Sequence, residues 1–354
     1  MSGRHSHRKN FAAAIALLCA GAASMPLLGQ STLPPGVAPV SPTQAKSIID
    51  PEQLAARTPA HLIQDMHAAF GSHHARAVHA KGTIMLGSFM PTTESRTLSR
   101  AAVFNGKLPI IVRFSDFTGI PDIPDTERNA QPRGFAIKFL LPDGSNLDVV
   151  NHSFNGFPVS NAVDFGDFLQ AIGASGAGVA KPTPLDRFLA AHPIAQRFLQ
   201  TQTPPPESWS TTTYFGVNAY QFTNDRGQSH FVRYRFVPEA GEHYLTDAQL
   251  KTKSPGYLSE EIGQRVADGP IRFTWYAQLS GPGDNIENPA IAWPETRKLI
   301  KLGVITIDRM GLNTTLADKS TLFLPGTTLP GIAIADPMLA IRNAAYPVSF
   351  VERR

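Results

Sequence analysis

The chain has 354 residues, 42% of them hydrophobic and 17% charged, enough apolar content to bury a large core as one big domain or two. Its single cysteine excludes an intrachain disulfide, a cysteine-held iron–sulfur cluster and a C-x-x-C-H haem attachment. Most of the formal +4 charge is N-terminal: without Arg4, Arg8 and Lys9, 29 basic residues face 28 acidic ones, a balance that gives no footprint for nucleic acid.

Those three basic residues precede an apolar run, Phe11 to Ala20, and a small-residue site at Ala20-Gly21-Ala22, the order of a secretory signal peptide. Ten apolar residues are too few to span a bilayer comfortably. We expect residues 1–22 to be removed on export to the periplasm or beyond, leaving a mature chain with no membrane span. Arg8-Lys9-Asn10-Phe11 only approximates a twin-arginine signal, so Sec and Tat routes both fit. Cys19 is filler in this segment, because Leu18 stands where a lipoprotein site needs a small residue. Residues 23–47 read as an arm or linker, since 31–47 are rich in Pro, Ser and Thr and lack apolar periodicity. Residues 48–354 read as the folded domain.

Pro51 to Phe70 carries Leu54, Leu62, Ile63, Met66 and Phe70 at helical spacings. Ile110 to Phe114 and Phe135 to Leu141 are strand-like. Ala162 to Ile172 is a helix behind an Asn161 cap. Gly173 to Lys181 is a loop, and its Gly176-Ala177-Gly178 is no phosphate cradle because no GK[ST] follows. Pro184 to Leu199 reads as one helix. Tyr214 to Phe222 and Ser229 to Val237 are strands flanking a turn at Thr223 to Gly227. In the second of them Val232, Tyr234 and Phe236 share one face and Arg233 and Arg235 the other. Leu245 to Val266 is helical with a break at Pro255-Gly256, and Ile271 to Leu279 and Val304 to Ile307 are strands. Antiparallel strands with interspersed helices predict an α+β fold built round a barrel, of undetermined strand order.

Asp336-Pro337 then opens a last helix, the carboxylate capping its first amides. On that helix Arg342 and Tyr346 are four residues apart and share one face. A guanidinium beside a phenol favours the phenolate, and phenolate is an axial ligand of haem iron.

Four ordered motifs tie this pair to a known family. Arg76-Ala77-Val78-His79-Ala80-Lys81-Gly82 resembles the R-x-V-H-A-K-G segment of haem catalases. Val112-Arg113-Phe114-Ser115 resembles V-R-F-S, Pro132 to Phe139 resembles P-R-G-F-A-x-K-F, and Arg342 with Tyr346 resembles R-x-x-x-Y. Weaker echoes stand at Phe273 to Gln278 and Ala292-Trp293-Pro294, so the resemblance runs from about Ile63 to Arg354. The chain is identified as a member of the catalase-related haem peroxidases. The resemblance implies an eight-stranded antiparallel barrel with surrounding helices. It implies a non-covalent haem b whose iron is bound by Tyr346, with Arg342 stabilising the phenolate. It implies a distal His79 as acid and base, Ser115 orienting it, and Arg76, Arg113 and Arg353 on the haem propionates. The family's long C-terminal extension and nicotinamide nucleotide site are expected to be absent or reduced.

One segment departs from the pattern. Where catalases have D-L-V-G-N-N-T-P, this chain has Asp148-Val149-Val150-Asn151-His152-Ser153-Phe154-Asn155. Ungapped, His152 stands at the place of the distal Asn, with Asn151 one residue earlier. Asn151 is the expected catalytic partner of His79 if a bulge turns it inward; otherwise His152 lines the pocket. A displaced Asn favours a peroxidase that uses a peroxide and a small organic reductant over a dismutase. The alternative is a non-enzymatic haem-binding protein of the same fold.

Overall fold

The computed structural model describes residues 57–354; the expected signal peptide, the arm and the start of the first predicted helix lie outside the described residues. Eight antiparallel strands follow one another round a closed barrel: β1 (Gly82–Pro91), β2 (Leu108–Ser115), β3 (Gly134–Leu140), β4 (Asn146–His152), β5 (Tyr214–Thr223), β6 (Ser229–Pro238), β7 (Ile271–Leu279) and β8 (Leu299–Met310). β8 pairs back with β1, and β4 meets β5 where His152 stands opposite Phe215. A short β9 (Ile332–Ile334) adds to the far half of β5, beyond the irregularity between Gly216 and Tyr220.

The barrel is filled. Inward positions alternate along each strand, and Val112 and Phe114 of β2, Ile137 and Phe139 of β3, and Leu147 and Val149 of β4 are almost fully buried in one cluster. Trp275 centres it, its ring 5.1 Å from Phe139, 5.2 Å from Tyr234 and 5.5 Å from both Phe89 and Phe236. Val232, Tyr234 and Phe236 point inward as the alternation predicts.

A second core packs outside the barrel. It joins α1 (Pro59–Phe70), α2 (Ala162–Gly173), α3 (Pro184–Ala191), α4 (Pro193–Gln200) and the start of α7 (Met338–Glu352). Between them in sequence lie α5 (Tyr257–Asp268), α6 (Thr315–Ser320) and single turns at Ser95–Leu98 and Asp247–Leu250. The helix starts are capped as their residues demand: Thr58 Oγ1 accepts from His61 N, and Asn161 Oδ1 from Asp164 N. The predicted helix over 184–199 is two helices, because Pro193 cannot continue the first and becomes the opening residue of the second. Asp336 is one residue too early to be the formal cap of α7, yet its Oδ1 accepts from Met338 N at 2.9 Å. At the hairpin, Asn224 Oδ1 accepts from both Arg226 N and Gln228 N, and Gly227 takes φ +76°. Among the described residues no helix is long and apolar enough to cross a membrane.

Candidate active site

The two cores leave a cleft of about 1310 Å³, mouth included, between the outer face of the barrel and the helices. Its barrel wall is a row across three strands: Ser115 on β2 opposes Gly134 on β3, which opposes His152 on β4. His79 lies over this row from the segment between α1 and β1, held by its amide on Phe117 O at 2.9 Å. Its backbone takes φ +56°, a left-handed conformation that costs a non-glycine residue free energy and marks functional sites. Ser115 Oγ lies 3.0 Å from His79 Nδ1, as the motif implied. A Cβ on Gly134 would stand 2.7 Å from the same nitrogen, so only glycine lets the ring rest there. Behind the row, the motif cations serve the scaffold. Lys81 pairs with Asp125 and donates to Ile123 O and Pro255 O, while buried Arg133 pairs with Asp116.

This wall strips charge from its imidazoles. Both rings are half-buried, and both line the cleft. Burial lowers His79 to a pKa of about 3, helped by His152, Arg113 and Arg342 and opposed by a backbone hydrogen bond to Asp116. His152 is lowered to about 3 by burial and then by Arg342.

The register decides between Asn151 and His152. Asn151 is paired with Phe135, whose ring is inside the barrel, and its Nδ2 donates to Phe135 O at 2.9 Å. Its Oδ1 approaches Gly216, on the same inner side. β4 runs without a bulge here, so strand parity sets His152 in the row with Gly134, while Asn151, which also borders the cleft, turns its amide to the Phe135 carbonyl.

α7 supplies a second wall. Arg342 Nη2 donates to Tyr346 Oη at 3.0 Å, one turn on. Arg342 Nη1 donates to Asn218 Oδ1, and Asn218 Nδ2 donates to Asp336 Oδ2 at 2.8 Å. Burial alone would lower the Arg342 pKa, but Tyr346, Tyr220 and Asp336 outweigh it and hold it above its ordinary value. Asp336 is itself raised to about 6 by burial, against its bonds to Asn218 and Met338. Sequence reasoning gave Asp336 only a capping role and missed Asn218; neither spacing nor motif ties them to Arg342.

The third side is cationic. Arg76, Arg113 and Arg353 all line the cleft and converge on the end of α6 and Thr321 beyond it. Arg113 donates to His79 O and Ala80 O at 2.9 and 3.0 Å, and its Nε to Asp318 at 2.8 Å. Arg76 pairs with Asp318 and donates to Thr321 O at 2.7 Å. Arg353 donates to Lys319 O and Thr321 O and is only 4% exposed, so the chain end is anchored. Burial and then Arg113 hold Arg76 well below its ordinary value, and burial lowers Arg353 to about 10. Asp318, also missed by sequence reasoning, neutralises one of three guanidinium charges. The surplus of about two positive charges suits a ligand with two carboxylates.

These residues fit haem. A phenol under a guanidinium, a neutral imidazole, a doubly cationic end and apolar walls from Leu62, Ile63, Met66 and Phe117 are what a flat, apolar, dianionic iron cofactor requires.

The catalase family model matches residues 43–353. A catalase-related peroxidase of Synechococcus elongatus is 33% identical over 302 residues, covering 84% of this chain and 88% of the relative. One of Mycolicibacterium paratuberculosis is 34% identical over 281 residues, covering 77% and 87%. Among solved structures, catalase A of Saccharomyces cerevisiae has a TM-score of 0.68 at 22% identity, over 79% of this chain and 61% of that one. A fungal catalase matches equally, with 59% of its chain covered. This chain spans about three fifths of those two structures, and the likeness to them is one of fold. By fold, family model and relatives together, the chain belongs to the catalase family.

Proposed function

We propose that this protein, among the peroxide-acting oxidoreductases of its family, is a haem peroxidase that reduces hydrogen peroxide or organic peroxides with a small organic donor and has weak catalase activity. The observation that carries this reading is His79: an imidazole kept neutral by burial, seated on Gly134 and oriented by Ser115. A neutral imidazole accepts the peroxide proton and returns it to the leaving oxygen. A haem carrier needs Tyr346 and Arg342 but no such base.

Haem b would be held without covalent attachment, Tyr346 on its iron and Arg76, Arg113 and Arg353 on its propionates, and would supply the metal that takes two oxidising equivalents from peroxide. Arg342 donates to the Tyr346 oxygen, and Asn218 with Asp336 fixes Arg342. Phe117, Phe157, Phe165 and Phe198 give the cleft an aromatic lining that suits an aromatic donor. The N-terminal pattern over residues 1–22 supports action in the periplasm or outside the cell.

The test mixes haem-loaded protein with hydrogen peroxide, with and without a phenolic donor, while donor oxidation and oxygen are recorded together. Donor oxidation should outrun oxygen release. Rapid oxygen release that ignores the donor would make the protein a dismutase.

A further inference from the structure

His152 shares the barrel wall with His79, and its contacts settle which ring nitrogen carries the hydrogen. The Phe154 amide lies 3.3 Å from His152 Nδ1 and donates to it. A backbone amide can only donate, so Nδ1 holds a lone pair and the hydrogen of the neutral ring is on Nε2. That Nε2 is buried, and it has no hydrogen-bond partner among the described residues. A buried N–H without an acceptor is costly, and native proteins leave few of them. The ring lines the cleft close enough to His79 to perturb it electrostatically. The missing acceptor therefore belongs to what occupies the cleft.

We propose that His152 Nε2–H is a second distal hydrogen-bond donor, and that with His79 it forms a subsite for small weak acids, hydroperoxides and hydrogen fluoride alike. Such a ligand gives its proton to the lone pair of His79 and accepts from His152 with its electron-rich atom. This rests on the haem reading above, since the iron is the third contact of such a ligand. An amide at this position would offer an acceptor as well as donors; the ring offers only the donor.

Fluoride is the probe, because it binds ferric haem as an anion and is strengthened by a donor at the distal side. Haem content and fluoride dissociation constants would be measured on the full-length haem-loaded protein, wild type, His152→Leu and His152→Gln. Leu should weaken fluoride binding about tenfold or more, the loss of one hydrogen bond to an anion. Gln, which keeps an amide N–H, should recover most of it. Equal affinity in wild type and Leu at full haem content would overturn the donor role while leaving the haem reading intact. Equal weakening in Leu and Gln would overturn it as well, since shape rather than the N–H would then matter. If Leu fails to fold, a loss in Gln greater than tenfold overturns it alone. Absence of haem uptake by the wild type would instead overturn the haem reading.

Discussion

The barrel wall and the α7 wall of the cleft handle charge in opposite ways. The barrel wall, built from one row of paired strands, holds two half-buried imidazoles in the neutral form. The α7 wall keeps a buried guanidinium charged by surrounding it with phenols, an amide and a carboxylate. Proton transfer needs a group that can change its charge, and an axial phenolate needs a neighbour that cannot. The difference teaches that each wall's backbone suits its task. Strand register fixes the distance of a base from its support, whereas a helix turn sets a fixed cation beside a fixed oxygen.

The largest break comes from the base itself. In the haem-loaded protein, His79→Ala should slow the reaction with peroxide roughly 10²–10⁴-fold, the usual contribution of positioned acid–base catalysis. Stopped-flow absorbance reads it, and an unchanged rate would remove the distal-base role. A smaller loss follows from disturbing the seat. Gly134→Ala puts a Cβ 2.7 Å from His79 Nδ1, and the ring must move. We expect a fall in that rate of up to about 10²-fold with the fold retained, the effect of about an ångström of misplacement. Wild-type rates with normal circular dichroism would show that the seat is not needed.

The smallest effect is thermodynamic. His79 and His152 have folded-state pKa values near 3 against an ordinary 6.5. Below pH 6.5 the unfolded chain takes up protons that the folded chain refuses, so stability falls as pH drops from about 6.5 towards 3. Each ring contributes up to about 1.4 kcal/mol per pH unit in that window. Asp116 and Asp336, raised by burial to about 7 and about 6, contribute in the opposite sense over the same range, so urea unfolding of the cofactor-free protein from pH 7 to pH 5 should compare wild type with His152→Gln, which should lose less stability on acidification. Equal slopes in the two would mean that the His152 ring is not buried neutral.

Sequence made the α7 wall half legible. Arg342 and Tyr346 are one turn apart, so helical spacing alone pairs them. Asn218 and Asp318 are not legible, because they reach Arg342 and Arg113 across 124 and 205 residues. On the barrel wall the motifs located His79, Ser115 and Gly134, but the choice between Asn151 and His152 needed the pairing with Phe135. β4 itself was not foreseen. Its Asp148 sits mid-strand, buried, where a carboxylate argues against a strand; Lys138 and the Leu324 amide satisfy it at 2.7 Å. β1 also went unseen, since Gly82 and Gly87 interrupt its apolar pattern. Where a contact was local the residues announced it; where it crossed the barrel they did not.

The central claim is that Tyr346, held by Arg342, binds the iron of a haem in this cleft. Full-length wild type and Tyr346→Phe should be compared for haem content and ferric absorption spectrum after identical reconstitution. The claim predicts that Tyr346→Phe loses haem, or keeps it with a changed high-spin ferric spectrum, because phenylalanine has no oxygen for the metal. Equal haem content with an unchanged spectrum would contradict it.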